Sequence, residues 1–222
     1  MQKLTLSTRT LQILKNFSTI NPSIHIRPGK LITTVSASKS IMARAEVEEE
    51  FETEFAIYDI SRFLSALSLF KEPELTIESN YATITEGRKK MNYTFADPKT
   101  VISTDKKNLK LPNEHVQFKL ENDTMNDLMK VVSVLRLPEI VVQSVGNKIV
   151  IGTSDSKNST SDTFATEVGE TDKNFKFIFK AENIKILPGD YDVAISTGGI
   201  SSFSTENLTY FIAVEQNSKF EG

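Results

Sequence analysis

Short runs of alternating apolar and polar residues, broken by glycine, proline or asparagine, fill most of this chain. A period of two sends successive side chains to opposite faces, so such runs build half-buried strands and not helices. Ile24-His25-Ile26-Arg27, then Pro28-Gly29, then Lys30 to Val35 reads as two strands joined by a tight turn. Residues 139–143 and 148–151 form a similar unit around Val145-Gly146-Asn147. Further strands are predicted over 42–55, 74–78, 81–85, 89–95, 116–120, 163–168, 175–179, 191–196 and 209–214. A helical period is confined to four segments. Residues 8–20 align Leu11, Leu14, Phe17 and Ile20; residues 59–69 align Ile60, Phe63, Leu64 and Leu67. Residues 122–135 align Met125, Leu128, Val131, Val132 and Leu135, and a shorter helix is expected over 181–187, stopped by Pro188-Gly189.

The order of these elements repeats. Each half runs strand, helix, hairpin, strand, second helix, further strands. Thr10-Leu11 aligns with Thr124-Met125, Leu14 with Leu128, and Phe17 with Val131. Two copies of ~100 residues are of ordinary domain size. The expected organisation is an N-terminal domain over 1–96, a connector over 97–113 and a C-terminal domain over 114–222. The connector carries Pro98, Pro112 and four lysines with little periodicity. The fold class is therefore α+β, two tandem copies of a β-sheet domain with two helices each.

Composition removes several functions. With no cysteine there is neither a disulfide framework nor a thiolate metal site. The only histidines, His25 and His115, lie in separate elements without metal-ligand spacing, and His25 is expected at the surface of its strand. Gly198-Gly199 lacks the lysine and helix of a phosphate loop. No catalytic residue, metal or cofactor is expected. No run approaches the ~20 apolar residues of a membrane span, and residues 1–16 hold no apolar core of a secretion signal.

Several strings go further. Leu14-Lys15-Asn16-Phe17-Ser18-Thr19-Ile20-Asn21, Ala56-Ile57-Tyr58-Asp59-Ile60, Ala96-Asp97-Pro98-Lys99-Thr100-Val101 and Leu187-Pro188-Gly189-Asp190-Tyr191 resemble, in order, segments of the T-even type phage DNA sliding clamps. That family is similar in fold to the proliferating cell nuclear antigen family. The resemblance implies a homotrimeric ring encircling double-stranded DNA without regard to sequence, helices lining the hole and sheets outside. It implies a non-enzymatic processivity factor that holds the DNA polymerase and is loaded by an ATP-dependent clamp loader. A part in late viral transcription, with late transcription factors as partners, and a place in the host cytoplasm follow from the same likeness. The alternative is a non-catalytic, β-rich phage structural protein.

A sliding tether needs long cations near phosphate and no rigid base contacts. Arg9 and Lys15 on the first helix, Arg62 on the second, Lys130 and Arg136 on or beside the third and Lys185 on the fourth fall off the apolar stripes. They are the expected DNA-facing residues, although a solvated helix face carries such charges too. The formal net charge of -3 does not oppose this, because charge placement decides the field. Glu46, Glu48, Glu50, Glu52 and Glu54 alternate, so a single strand over 42–55 projects all of them to one face. That face either repels DNA from the outside of a ring or solubilises the strand and discourages edge pairing. The resemblance places a partner-peptide pocket beside the connector, for which Val101, Ile102, Leu109, Leu111 and Phe220 are the apolar candidates. Residues 89–95 and 163–168 are the expected ring-closing edges.

Overall fold

The computed structural model describes residues 2–104, 110–158 and 160–221. The chain forms two compact units, Met1–Asn108 and Leu109–Gly222. The division falls inside the expected connector, at a position where sequence periodicity gives no marker.

The first unit contains β1 (Gln2–Leu4), α1 (Thr8–Ile20), β2 (Ile24–Ile26), β3 (Gly29–Val35), β4 (Ile41–Phe51), β5 (Phe55–Ile57), α2 (Ile60–Leu67), β6 (Glu74–Ile77), β7 (Tyr81–Glu86) and β8 (Lys89–Thr94). Its strands pair in the order β1-β6-β7-β8, with β2 on β5 and β3 on β4, all antiparallel. The second unit contains β9 (Val116–Leu120), α3 (Asn122–Leu135), β10 (Glu139–Val145), β11 (Lys148–Ser154), β12 (Phe164–Glu170), β13 (Phe175–Lys180), β14 (Tyr191–Ser196), β15 (Ile200–Ser204), β16 (Leu208–Ala213) and β17 (Lys219–Phe220). Here β9-β14-β15-β16 repeats β1-β6-β7-β8, β10 on β13 repeats β2 on β5, and β11 on β12 repeats β3 on β4. The duplication read from element order is thus a duplication of pairing except at β10 and β11, which pair with each other where β2 and β3 do not.

Local chemistry starts and ends the helices. The Ser7 hydroxyl accepts from the Thr10 N–H at the start of α1, and Asp59 accepts from the Arg62 N–H at the start of α2. On α1 the buried stripe is Thr10, Ile13, Leu14, Phe17 and Ile20. Ile13 holds the place expected for Leu11, which is half-buried. Each such side chain contributes about 1.5–3 kcal/mol when fully buried, and the stripe seats α1 on β3 and β4 and against α2. Helix α3 buries only Met125 and Leu128; Leu135, expected on the stripe, is 41% exposed.

The structure corrects four expectations. The fourth helix is a single 3₁₀ turn, Ala181–Asn183. The following backbone leaves the helical ladder: the Leu187 N–H donates to the Tyr210 hydroxyl at 3.1 Å, and its carbonyl accepts from the Tyr191 hydroxyl at 2.6 Å. Among its described residues the second unit therefore has one α-helix, not two. Next, β2 and β3 do not form a hairpin ladder. Arg27 donates to the Thr104 carbonyl and the Ser103 hydroxyl, Thr33 donates to Thr104, and Asn21 bridges the Val35 and Ile102 carbonyls. The segment after β8 is thereby tied to β2 and β3, and Pro28 has no N–H to offer a ladder. Third, the long glutamate-bearing strand breaks after Phe51, so Glu52 and Glu54 stand in a turn before β5. Last, His25 is buried, because all three residues of β2 are enclosed.

Candidate nucleic-acid and partner interfaces

In the first unit, Arg9, Gln12 and Lys15 on α1 and Arg62 on α2 are exposed, and the two helices pack together. At 100° per residue, Gln12 and Lys15 lie opposite the buried stripe, whereas Arg9 lies at its flank. Among the described residues, no salt bridge engages Arg9, Lys15 or Arg62. On β4 the odd positions from Ala43 to Phe51 turn inward and Glu46, Glu48 and Glu50 are exposed. Since α1 sits on the inward face of β4, the acidic row and the basic helix face point to opposite sides of this layer.

Glu49 departs from that row. Its carboxylate accepts from the Ser7 N–H and, at 2.5 Å, from the Thr10 hydroxyl, holding the first turn of α1 to β4. The alternation of the other glutamates conceals it in the sequence. Its odd position within the strand is the one available signal.

In the second unit, Lys130 and Arg136 are exposed, but Lys185 is half-buried and lies on no helix. Lys130 is 3.1 Å from Asp127 in an exposed pair, an arrangement that contributes little to stability. The N-terminus of α3 has no cap from Glu121; Asp190 accepts the Asn122 N–H at 2.8 Å instead. At the other end Arg136 adopts a left-handed conformation, φ 53 and ψ 41, and the Leu137 N–H returns to the Val132 carbonyl at 3.1 Å. A left-handed L-residue costs roughly 1–2 kcal/mol, and glycine is the usual solution at such a position. An arginine there trades stability for a guanidinium at the end of the helix.

Arg136 also lines a cleft of about 1170 Å³ within the second unit, with Met129, Val132 and Pro138 on one side and Val214 and Glu215 on another. Glu139 braces it by accepting from the Ser154 hydroxyl and from the N–H and hydroxyl of Ser156. Nearby on α3, Val134 is 77% exposed. Sequence reasoning missed this cleft because its walls come from segments far apart in the chain.

The apolar residues expected at a partner pocket are scattered. In the first unit Val101 is buried, whereas Ile102 is 51% exposed. In the second, Leu111 and Phe220 are half-buried; Leu109 lies outside the described residues. Phe220, in β17, packs edge-on to His115 at 4.9 Å and stacks near Phe177.

Both strands expected to close a ring are sheet edges in their own units. Among the described residues β8 pairs only with β7 and exposes Lys89 and Lys90; β12 pairs only with β11 and exposes Glu167 and Glu170. Lys148 donates to Glu170 at 2.7 Å, which holds the Glu170 carboxyl below the usual carboxylate range and raises the Lys148 ammonium. His25, 3.3 Å from the Glu54 carboxylate, is held below its usual pKa by burial and by Arg27, against the pull of Glu54. Among the described residues no group of three or more histidine, aspartate or glutamate side chains is placed to hold a metal ion, and no helix is long and apolar enough to cross a membrane.

Comparison with known proteins covers both units. Residues 7–103 match the family described as DNA polymerase processivity factor, and residues 117–216 match the gp45 sliding clamp, C terminal. A sliding clamp of Vibrio phage KVP40 is 34% identical over 218 residues, spanning 95% of this chain and 98% of that one. The sliding clamp of Escherichia phage RB69 is 29% identical over 231 residues, spanning 96% and 97%. Among solved structures, the A. fulgidus PCNA bound to the C-terminal region of FEN-1 superposes with a TM-score of 0.69 at 12% identity, covering 99% of this chain and all of that one (100%). DNA polymerase III subunit beta from Borrelia burgdorferi gives 0.72 at 9% identity, covering 98% of this chain and 65% of that one.

Proposed function

The chain belongs to the phage sliding clamps, the DNA polymerase processivity factors, and on that premise we propose that three copies close into a ring around duplex DNA and hold the replicative polymerase on it. The observation that carries the ring is the pair of edge strands, β8 with its lysines and β12 with its glutamates. One strand edge of each kind per chain suits a head-to-tail contact, and a head-to-tail contact closes when its rotation does. Opposite charge sets the polarity of the joint.

In the first unit the DNA-facing side is that of α1 and α2, and in the second it is that of α3. Arg9, Lys15, Arg62, Lys130 and Arg136 attract phosphate without fixing a base register, which suits sliding. Lys185 acts from an irregular segment at the margin of that surface. Glu46, Glu48 and Glu50 face the other way and repel DNA from the outer side. The two clamp domains are 1–96 and 114–222, with 97–113 as the connector between them. Partner peptides, including those of the polymerase, are received beside the connector, where Ile102 is exposed. An ATP-dependent loader opens the ring, late transcription factors use it in the host cytoplasm, and the protein performs no chemistry of its own.

The deciding experiment is primer extension by the cognate polymerase with loader and ATP. The protein lengthens products only when all are present; unchanged product length overturns the reading. Replacing Arg9, Lys15 and Lys130 together by alanine weakens retention on DNA without changing the oligomeric state. Wild-type retention reassigns the lining.

A further inference from the structure

We propose that the outer edge of β13 is a strand-addition site for a partner segment carrying an acidic residue followed by an aromatic one, and that residues 215–221 occupy it in cis. This inference rests on the second unit alone and needs neither ring nor DNA.

Residues 215–221 lie along the edge from Asn174 to Ile178 but are held weakly. The Glu215 N–H donates to the Ile178 carbonyl at 2.8 Å, the Ile178 N–H donates to the Ser218 hydroxyl at 2.9 Å, and the Glu221 N–H donates to the Asn174 carbonyl at 2.9 Å. True ladder pairing is limited to Phe175 with Phe220 and Lys176 with Lys219. That is far short of an ordinary strand of about five or six residues. Both lysines are exposed and stand directly opposite each other, a cross-strand arrangement that destabilises. Phe220 is the anchor, half-buried between His115 and Phe177. Ile178 is buried with this segment in place, so its departure opens a strand edge whose N–H and carbonyl another strand can pair.

These contacts specify what fits better than the tail does. An aromatic residue opposite Phe175 keeps the anchor. A carboxylate in place of Lys219 turns a like-charge pair with Lys176 into an opposite-charge one. Backbone hydrogen bonds give affinity in such a mode, and the two side chains give selectivity.

The test uses the full chain with Phe220→Ala, which loosens the tail, and two labelled peptides spanning residues 214–221, one with the natural sequence and one with K219E. The K219E peptide binds the F220A protein about three- to tenfold more tightly than the natural peptide does, as expected for reversing one cross-strand charge pair. A second substitution, K176E, inverts that preference, and the unaltered chain binds both peptides at least about tenfold more weakly because its own tail competes. Hydrogen exchange at the Ile178 amide quickens in F220A while the melting temperature of the second unit holds, which separates tail release from unfolding. Absence of peptide binding to F220A, equal affinity for both peptides, or unchanged exchange at Ile178 overturns the proposal. Self-association of F220A through exchanged tails without peptide binding overturns the assignment to a partner protein.

Discussion

Arg136→Gly separates the helix-ending role of this residue from the DNA contact proposed for it. The left-handed backbone at φ 53 costs an L-residue roughly 1–2 kcal/mol. Glycine removes that strain but returns about 0.5–1 kcal/mol by enlarging the freedom of the unfolded chain. Because the Arg136 side chain is exposed, little packing is lost. The net expectation is a gain of about 0.5–1 kcal/mol, moving the urea midpoint of the second unit upward by about 0.3–0.5 M at ordinary denaturant sensitivity. In the same variant the slope of log affinity for DNA against log salt falls by about 0.9 for each phosphate contact removed. Arg136→Gln is the control: it keeps the strain and loses the charge, so it shows the change in slope without the gain in stability. Lower stability of the glycine variant refutes the reading of the helix end. An unchanged salt slope in both variants takes Arg136 off the DNA-facing surface and leaves it to the cleft it lines.

Other outcomes follow from named contacts. Leu128, fully enclosed beneath α3 at 0% exposure, leaves a cavity when changed to alanine, and stability falls by about 2–5 kcal/mol in denaturant titration; a loss below about 1 kcal/mol contradicts that packing. Changing Lys89 and Lys90 to glutamate weakens ring assembly roughly tenfold or more in sedimentation, and changing Glu167 and Glu170 to lysine restores it; rescue that fails separates the two edges. Burial and Arg27 hold His25 below its unfolded pKa, so the unfolded chain binds the proton more readily. Its contribution is therefore complete above about pH 6.5 and is lost as pH falls through the lowered native value. His25→Gln flattens that part of the stability profile, and an identical profile removes His25 from the account.

Most of the architecture was legible because it depends on periods. Helices α1 and α3 begin and end where the apolar spacing puts them, and the two-copy order survives in most of the strand pairing. The family resemblance was legible too, carried by short strings spread through both halves. The exposure of Arg9, Lys15, Arg62, Lys130 and Arg136 could be foreseen because a charged side chain off an apolar stripe has to face solvent.

What the sequence could not settle was pairing at a distance. The tight turn expected at Pro28-Gly29 is a bend at Pro28 that runs directly into β3, and β2 and β3 choose other partners, since Arg27, Thr33 and Asn21 bind a segment more than seventy residues away. The apolar spacing over 181–187 suits a helix, but two tyrosine hydroxyls from β14 and β16 take the backbone of Leu187. A glutamate-rich run gives no sign that Glu49 alone turns inward to fasten α1, and an ordinary tail gives no sign that Phe220 lies along β13. Local period and residue type fixed which elements exist; only the tertiary structure decided which of their hydrogen-bonding groups meet, because that choice is made by whatever else competes for the same donors and acceptors.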